Sequence, residues 1–289
     1  LKADPRFLSS PKSFWALVRT LSQHLGYTER GRRGEEGQVA IHSVAAQARA
    51  LFELGLNPEA VLTKLGPTAE GLKLEAYFRY RAEVLNGYVQ PLLMDKEDVR
   101  PLFEKHFARL NPTCPIPMNK QKNDKRAPAF LTGLVNMLVQ EATGDLPCNY
   151  DPRELTTFTR DGVPVRTLAR RVDGAFPSAV NPIALWEIKE YYYTTTFGSR
   201  VADGVYETLL DGLELQEMER NEGISAMHYL FVDSRFTWWK CGRSYLCRLI
   251  DMLNMGCATE VIFGREVLDR IPELGAEWAR VYRGRFGTG

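Results

Sequence analysis

The sequence predicts a mixed α/β protein, a helical first half followed by a mixed central sheet flanked by helices. Three observations carry this reading. Apolar residues recur at helical spacing as far as Leu110. A proline-rich, basic break then runs from Asn111 to Pro128. Beyond it, short strand-like runs alternate with longer helical ones. A helical N-terminal region is accordingly expected over 1–125 and a mixed domain over 126–289. With 289 residues, 44% of them hydrophobic, the chain has enough apolar surface for one large domain or two modest ones.

Phe14, Trp15, Val18, Leu21 and Leu25 share one helical face, and Gly26 follows as a stop. Arg30-Gly31-Arg32-Arg33-Gly34 reads as a basic loop. A helix is expected over Val39–Leu54, ending at Gly55. Asn57 then caps a short helix with Pro58 at its first position. Further helices are expected over Ala69–Asn86 and Lys96–Leu110. In the break, Lys120, Lys122, Lys125 and Arg126 form the most basic stretch of the chain. It suits either a solvated connector or a loop that neutralises backbone phosphates.

The second half opens with an apolar helix over Phe130–Thr143. Asp161-Gly162 between Thr156–Arg160 and Val163–Leu168 is a strong hairpin signal. A strand leads through Val172 and Asp173, and another covers Ala184–Lys189. Then follow a helix over Ser199–Glu219, a strand over Met227–Val232, a helix over Ser244–Leu253 and a strand over Glu260–Phe263.

Bulk properties exclude several function classes. The 37 basic and 36 acidic residues leave a formal charge of +1, so a nucleic acid would meet local basic patches and not a polycation. Five cysteines without paired C-x-x-C spacing point to reduced thiols in a cytoplasmic protein, not to a disulfide framework or a structural zinc site. No apolar run approaches the ~20 residues that span a bilayer, so no membrane association is expected. There is no signal peptide, although a start at Leu1 leaves an upstream piece open. The four histidines are scattered, no Gly-Lys-Ser/Thr loop follows the glycines, and Gly-x-Ser-x-Gly is absent.

The candidate chemistry lies in Glu187-Ile188-Lys189. In a strand, residues two apart share a face, so Glu187 and Lys189 project together while Trp186 and Ile188 point the other way. Asp173, at the end of the preceding strand, would join them across a turn containing Pro177 and Asn181-Pro182. Two carboxylates and an ammonium suit phosphodiester hydrolysis. Asp173 and Glu187 would hold Mg²⁺ through oxygen, and the metal would offset phosphate charge and lower the pKa of its bound water. Lys189 would orient the attacking water and stabilise the developing charge. An ordinary ion pair between strands has the same spacing. Burying an acid in an apolar strand is nevertheless costly without a partner or a metal.

With these residues in view, Arg171-Val172-Asp173-Gly174 and Trp186-Glu187-Ile188-Lys189 resemble the motifs of the PD-(D/E)XK nuclease superfamily, over about Ala129 to Phe263. Val172 stands where that family nominally has proline. The resemblance implies a restriction-endonuclease-like core, catalytic Asp173, Glu187 and Lys189, a Mg²⁺ cofactor and a duplex-DNA substrate. Glu141, on the helix before the strands, would be an added metal or water ligand, although a solvated surface glutamate reads the same. The member class that fits best is a type II restriction endonuclease, homodimeric, with a cognate DNA methyltransferase in the same system. An antiphage or repair nuclease, or a non-catalytic DNA-binding protein keeping the fold, are the alternatives.

Weaker signals flank this core. Arg200, Asp203 and Glu207 fall near one helix face, either framing the site, with Arg200 on a phosphate, or as a solvated paired face. Tyr191-Tyr192-Tyr193 would extend the Glu187 strand into a groove, or reflect β-propensity alone. Trp238-Trp239 reads as core.

Overall fold

The apolar periodicity of the first half is realised as helices, and that of the second as a sheet between helices. The structure is a computed structural model that describes residues 1–29, 31, 36–119, 127–194 and 198–287, with backbone only at 199 and 200. The chain forms two compact units. A helical unit comprises Ala3–Pro91 and Gly242–Met255, and a sheet unit comprises Leu1–Lys2, Leu92–Cys241 and Gly256–Gly289.

The helical unit begins with α1 (Pro5–Leu8) and α2 (Lys12–Leu25), the latter ended by Gly26 at φ 92°. The helix expected over Val39–Leu54 starts later. Gln38–Val39 (β2) pairs with Thr28–Glu29 (β1), and Ser43 Oγ accepts the Ala46 N–H at 3.3 Å to begin α3 (Val44–Glu53). Asn57 does cap the next turn, which is a single 3₁₀ turn over Pro58–Ala60. A two-residue pair, β3 (Leu62–Thr63) with β4 (Gly66–Pro67), leads to α4 (Ala69–Glu83). A π-helical stretch, Val84–Val89, and α5 (Gln90–Leu92) follow. Phe7, Phe14, Trp15, Val18, Leu51, Leu74 and Phe78 form the core of this unit.

The sheet unit starts with α6 (Lys96–Leu110) and α7 (Phe130–Thr143), both at the expected residues. Phe103 on α6 meets Phe130 on α7 with ring centres 5.4 Å apart. That packing draws α6 into the sheet unit, so the units divide near Pro91, whereas the change of sequence pattern lies at 125/126. Next come β5 (Thr157–Arg160) and β6 (Val163–Thr167), closed by Asp161 and Gly162 at φ 51° and 78°, as the dipeptide requires. They form a separate two-stranded sheet.

The central sheet has the order β10-β9-β8-β7. β7 (Gly174–Phe176) is antiparallel to β8 (Ala184–Glu190). β8, β9 (Met227–Asp233) and β10 (Glu260–Phe263) run parallel, with α8 (Ser199–Glu222) and α9 (Arg243–Asn254) in the connections. A final helix, α10 (Val267–Phe286), is missing from the sequence reading. Pro272 and Gly275 interrupt its helical signal. With α7 it covers one sheet face, where Trp278 stacks on Trp186 at 5.5 Å and an interplanar angle of 10°. On the other face, Leu215 and Met218 of α8 join Leu185. No helix among the described residues is long and apolar enough to cross a membrane.

α9 packs in the helical unit, and its Asp251 resolves an electrostatic problem there. Arg81 on α4 is 0% exposed, a position costly for a charge. Its guanidinium lies 3.0 and 3.1 Å from the Asp251 carboxylate and 3.1 Å from Ser22 Oγ, beside the rings of Tyr27, Tyr77 and Phe78. The Tyr77 hydroxyl donates to the same carboxylate at 2.5 Å.

Candidate active site

Asp173 is set by the end of a strand pair. Gly174 pairs with Trp186, and a Cβ on Gly174 would lie 2.1 Å from the Trp186 ring, so only glycine fits there. The Asp173 N–H donates to the Trp186 carbonyl at 3.1 Å. Beyond that register β7 no longer pairs with β8. The Ile188 N–H donates instead to Asp173 Oδ2 at 2.8 Å, a side chain taking the place of a strand. Asp173 keeps exposed surface on this edge.

Glu187 and Lys189 project together on the α8 side, as their spacing requires. Lys189 Nζ lies 2.8 Å from Glu187 Oε2 and 3.0 Å from Glu207 Oε2 on α8. Gly204 admits the lysine stem, because a Cβ there would come within 3.1 Å of its Cδ. Arg170, in the segment between β6 and β7, holds the acids from the other direction. Its Nη1 is 2.9 Å from Glu187 Oε1 and 2.6 Å from Asp211 Oδ2. Its Nη2 is 3.1 Å from Glu187 Oε2 and 3.3 Å from Glu207 Oε2.

Four carboxylates, Asp173, Glu187, Glu207 and Asp211, thus face two cations. Partial desolvation at the strand edge, then the charge of Glu187, pushes the Asp173 carboxyl above its ordinary range. Burial likewise pushes Asp211 up to about 7 against the pull of Arg170. Glu187 is 0% exposed, and burial alone would raise it. Lys189 and Arg170 outweigh that effect and hold it below the ordinary range. Burial opposes the charge of Lys189, but Glu187 and Asp173 overcome it and raise its pKa. A protonated lysine so placed is suited to orient and to neutralise.

Other expected site residues fall elsewhere. Glu141 does not join the cluster. Both its oxygens bind Arg109 of α6, at 2.5 and 2.8 Å. At 1.5 Å per residue it lies about 13 Å along α7 from Thr132, the residue that faces β8. Lys120, Lys122, Lys125 and Arg126 lie outside the described residues, as do Arg30, Arg32, Arg33 and Gly34 of the N-terminal basic loop and the side chain of Arg200. The tyrosine run does not extend β8, which ends at Glu190. Tyr192 donates to Asp233, and Tyr193 stacks on Phe130. Trp238 and Trp239 are buried core. Arg170 and Asp211 escaped the sequence reading, whereas Glu207 carried a signal through its spacing with Asp203 and Arg200.

Among the described residues, no group of three or more His, Cys, Asp or Glu side chains is arranged to hold a metal ion. A cation here would have Asp173 and Glu187 as its protein carboxylates. That donor count is ordinary for Mg²⁺, which keeps waters and substrate phosphates as its other ligands.

Residues 94–278, nearly the whole sheet unit with α9, match the family model described as Domain of unknown function (DUF7687). The chain belongs to the DUF7687 family. Its first 88 residues match a second model, Domain of unknown function (DUF7690). No curated protein and no solved structure matches the chain. The DUF7687 match encloses all six residues of the charged cluster, Arg170, Asp173, Glu187, Lys189, Glu207 and Asp211.

Proposed function

We propose that the chain is a Mg²⁺-dependent endonuclease that hydrolyses duplex DNA on a restriction-endonuclease-like core. The observation that carries this reading is the convergence of Asp173, Glu187 and Lys189 at the point where β7 stops pairing with β8. The surplus of acids over Arg170 and Lys189 favours a divalent cation. The preceding helix, the β7–β8 pair, the α8 crossover and the parallel β9 support this core, whose order calls for three strands between the helices; the β5–β6 hairpin before β7 forms a separate sheet.

A bound Mg²⁺ would supply Lewis acidity and charge neutralisation at the phosphate. Asp173, with exposed surface, and Glu187 would hold the cation. Lys189 would orient the attacking water and stabilise charge on a phosphate oxygen. Arg170 holds Asp211 and Glu207. For a type II restriction enzyme, with its methyltransferase encoded alongside, cutting both strands calls for two copies about a two-fold axis. Light scattering with a cognate duplex is expected to report a dimer, and a monomer both free and on DNA contradicts that arrangement.

One observation favours a second reading. Glu187 Oε2 already accepts from Arg170 and Lys189, as in a purely structural network of a DNA-binding protein, while Oε1 lies 2.9 Å from Arg170 Nη1 without a hydrogen bond among the described residues. Substitutions separate the two. Asp173→Asn is expected to abolish Mg²⁺-dependent loss of supercoiled plasmid with little change in Tm. Lys189→Ala is expected to reduce it by about 10²–10³-fold. Folded variants with full cleavage would exclude the catalytic reading, and a lowered Tm with cleavage intact would establish the structural one.

A further inference from the structure

A cleft of about 220 Å³ opens beside Asp173, walled by α7, by β8 and by the segment before α7. It lies on the other side of β8 from Lys189. Thr132 and Asn136, one turn apart on α7, face Ile188 and Glu190, two apart on β8. The Thr132 N–H and Oγ1 both donate to Glu190 Oε2, at 2.6 and 3.0 Å, and fix the two walls together.

The described lining carries the carboxyl groups of Asp151, Asp173 and Glu190, and so offers hydrogen-bond acceptors. Asn136 adds the decisive atom. It is 1% exposed, its Nδ2 donates to the Pro115 carbonyl at 2.8 Å, and its Oδ1 has no hydrogen-bond partner among the described residues. A buried acceptor left unpaired costs about 1–3 kcal/mol, so this oxygen calls for an N–H or O–H from whatever enters. Between the polar groups, Pro115, Tyr150 and Ile188 offer flat apolar surface, suited to the faces of one heteroaromatic ring.

We infer that this cleft binds a nucleobase carrying an exocyclic amine, from the nucleotide adjoining the phosphate at Asp173. The inference rests on the nuclease reading for the position of that phosphate. A base drawn out of its stack is held by apolar faces and read through the donors and acceptors of its pairing edge. Here Asn136 Oδ1 accepts from the amine. Uracil and thymine present a carbonyl at the corresponding position and leave Asn136 unpaired against a second acceptor.

Matched pairs isolate that single group. Isothermal calorimetry on the full chain in EDTA would compare single-stranded pentadeoxycytidylate with pentadeoxyuridylate, and pentadeoxyadenylate with pentadeoxyinosinate. Each pair shares backbone and ring size and differs chiefly in an amine or a carbonyl. The amine-bearing strand is expected to bind about tenfold or more tightly, and Asn136→Leu is expected to erase the difference. Equal affinity within both pairs, or no binding of any strand at millimolar concentration, overturns the inference. So would a preference that survives in folded Asn136→Leu protein. A cleft that holds only water gives the equal-affinity result. The wild-type comparison stands by itself if Asn136→Leu does not fold. Plasmid cleavage is read separately: a base preference without Mg²⁺-dependent cleavage rejects the nuclease reading alone, and cleavage without the preference rejects this inference alone.

Discussion

At the scale of single residues, Arg170 carries as much of the site as the acids it binds. Its guanidinium spans Glu187, Glu207 and Asp211, two of them with fully buried side chains. Removing one partner of a buried pair leaves an uncompensated charge, at a cost of about 3–5 kcal/mol. Arg170→Ala is expected to lower the unfolding free energy from urea titration by that order, shifting the midpoint down, and Arg170→Lys, with one cation but no fork, to lie between. A midpoint within experimental error of wild type would show that Glu187 and Asp211 find other partners. The residue scale also separates what the sequence reveals from what it hides. Glu187 and Lys189 are legible because a strand's period of two puts them side by side. Asp173 is legible from the turn that brings its strand back. Arg170 and Asp211 are 41 positions apart and meet only through the packing of α8 on the sheet, which no local pattern records.

At the scale of elements, the junctions of β8 with β7 and with α7 set the site. Gly174→Ala would drive a methyl group into the Trp186 ring, and overpacking of this kind costs about 1–3 kcal/mol. Because Asp173 is the next residue, this variant is expected to lose both Tm and Mg²⁺-dependent cleavage. Loss of Tm alone would show that Asp173 is held independently of the strand pair. At the other end of β8, burial pushes Glu190 up to about 7 from an ordinary 4.5, against the N–H donation of Thr132. The folded state then keeps a proton that the unfolded chain releases. Stability contributed by the protonated form is full below about pH 4.5 and falls as pH rises toward 7, by about 3 kcal/mol for this shift. Asp233, bonded to Tyr192 and facing Glu190, shifts in the same direction. Glu190→Gln, which still accepts from Thr132, is expected to flatten the decline between pH 5 and 8 in urea titrations. An unchanged slope would assign the decline to Asp233 and its neighbours. Elements with a strong apolar period were legible to the residue: α6, despite Pro101 inside it, α7 and β10 stand where the pattern puts them. α10 was not, because Pro272 near its start and Gly275 a turn later mimic the end of a helix. β5 and β6 were legible as a hairpin but not as a separate sheet, since strand partnership depends on contacts distant in sequence.

At the scale of the whole chain, the helical unit is incomplete without α9, which enters it from between β9 and β10. Asp251→Ala is expected to destabilise that unit by about 3–5 kcal/mol, because Arg81 stays buried without its partner. A fragment ending at Pro91 is expected to lack cooperative unfolding by circular dichroism and to gain it when a peptide of residues 242–255 is added. Cooperative unfolding of the bare fragment would mean that Ser22 and the surrounding rings are enough for Arg81. The same threading has a consequence in time. The ribosome passes residue 91 about 160 residues before it completes α9. At ordinary elongation rates that is a wait on the order of ten seconds. During that wait the nascent helices display their apolar faces and an arginine with no counter-ion, the kind of surface that chaperones capture. Synthesis of this protein is therefore expected to depend on such factors early, and to be released from them only when a helix encoded within the other unit arrives.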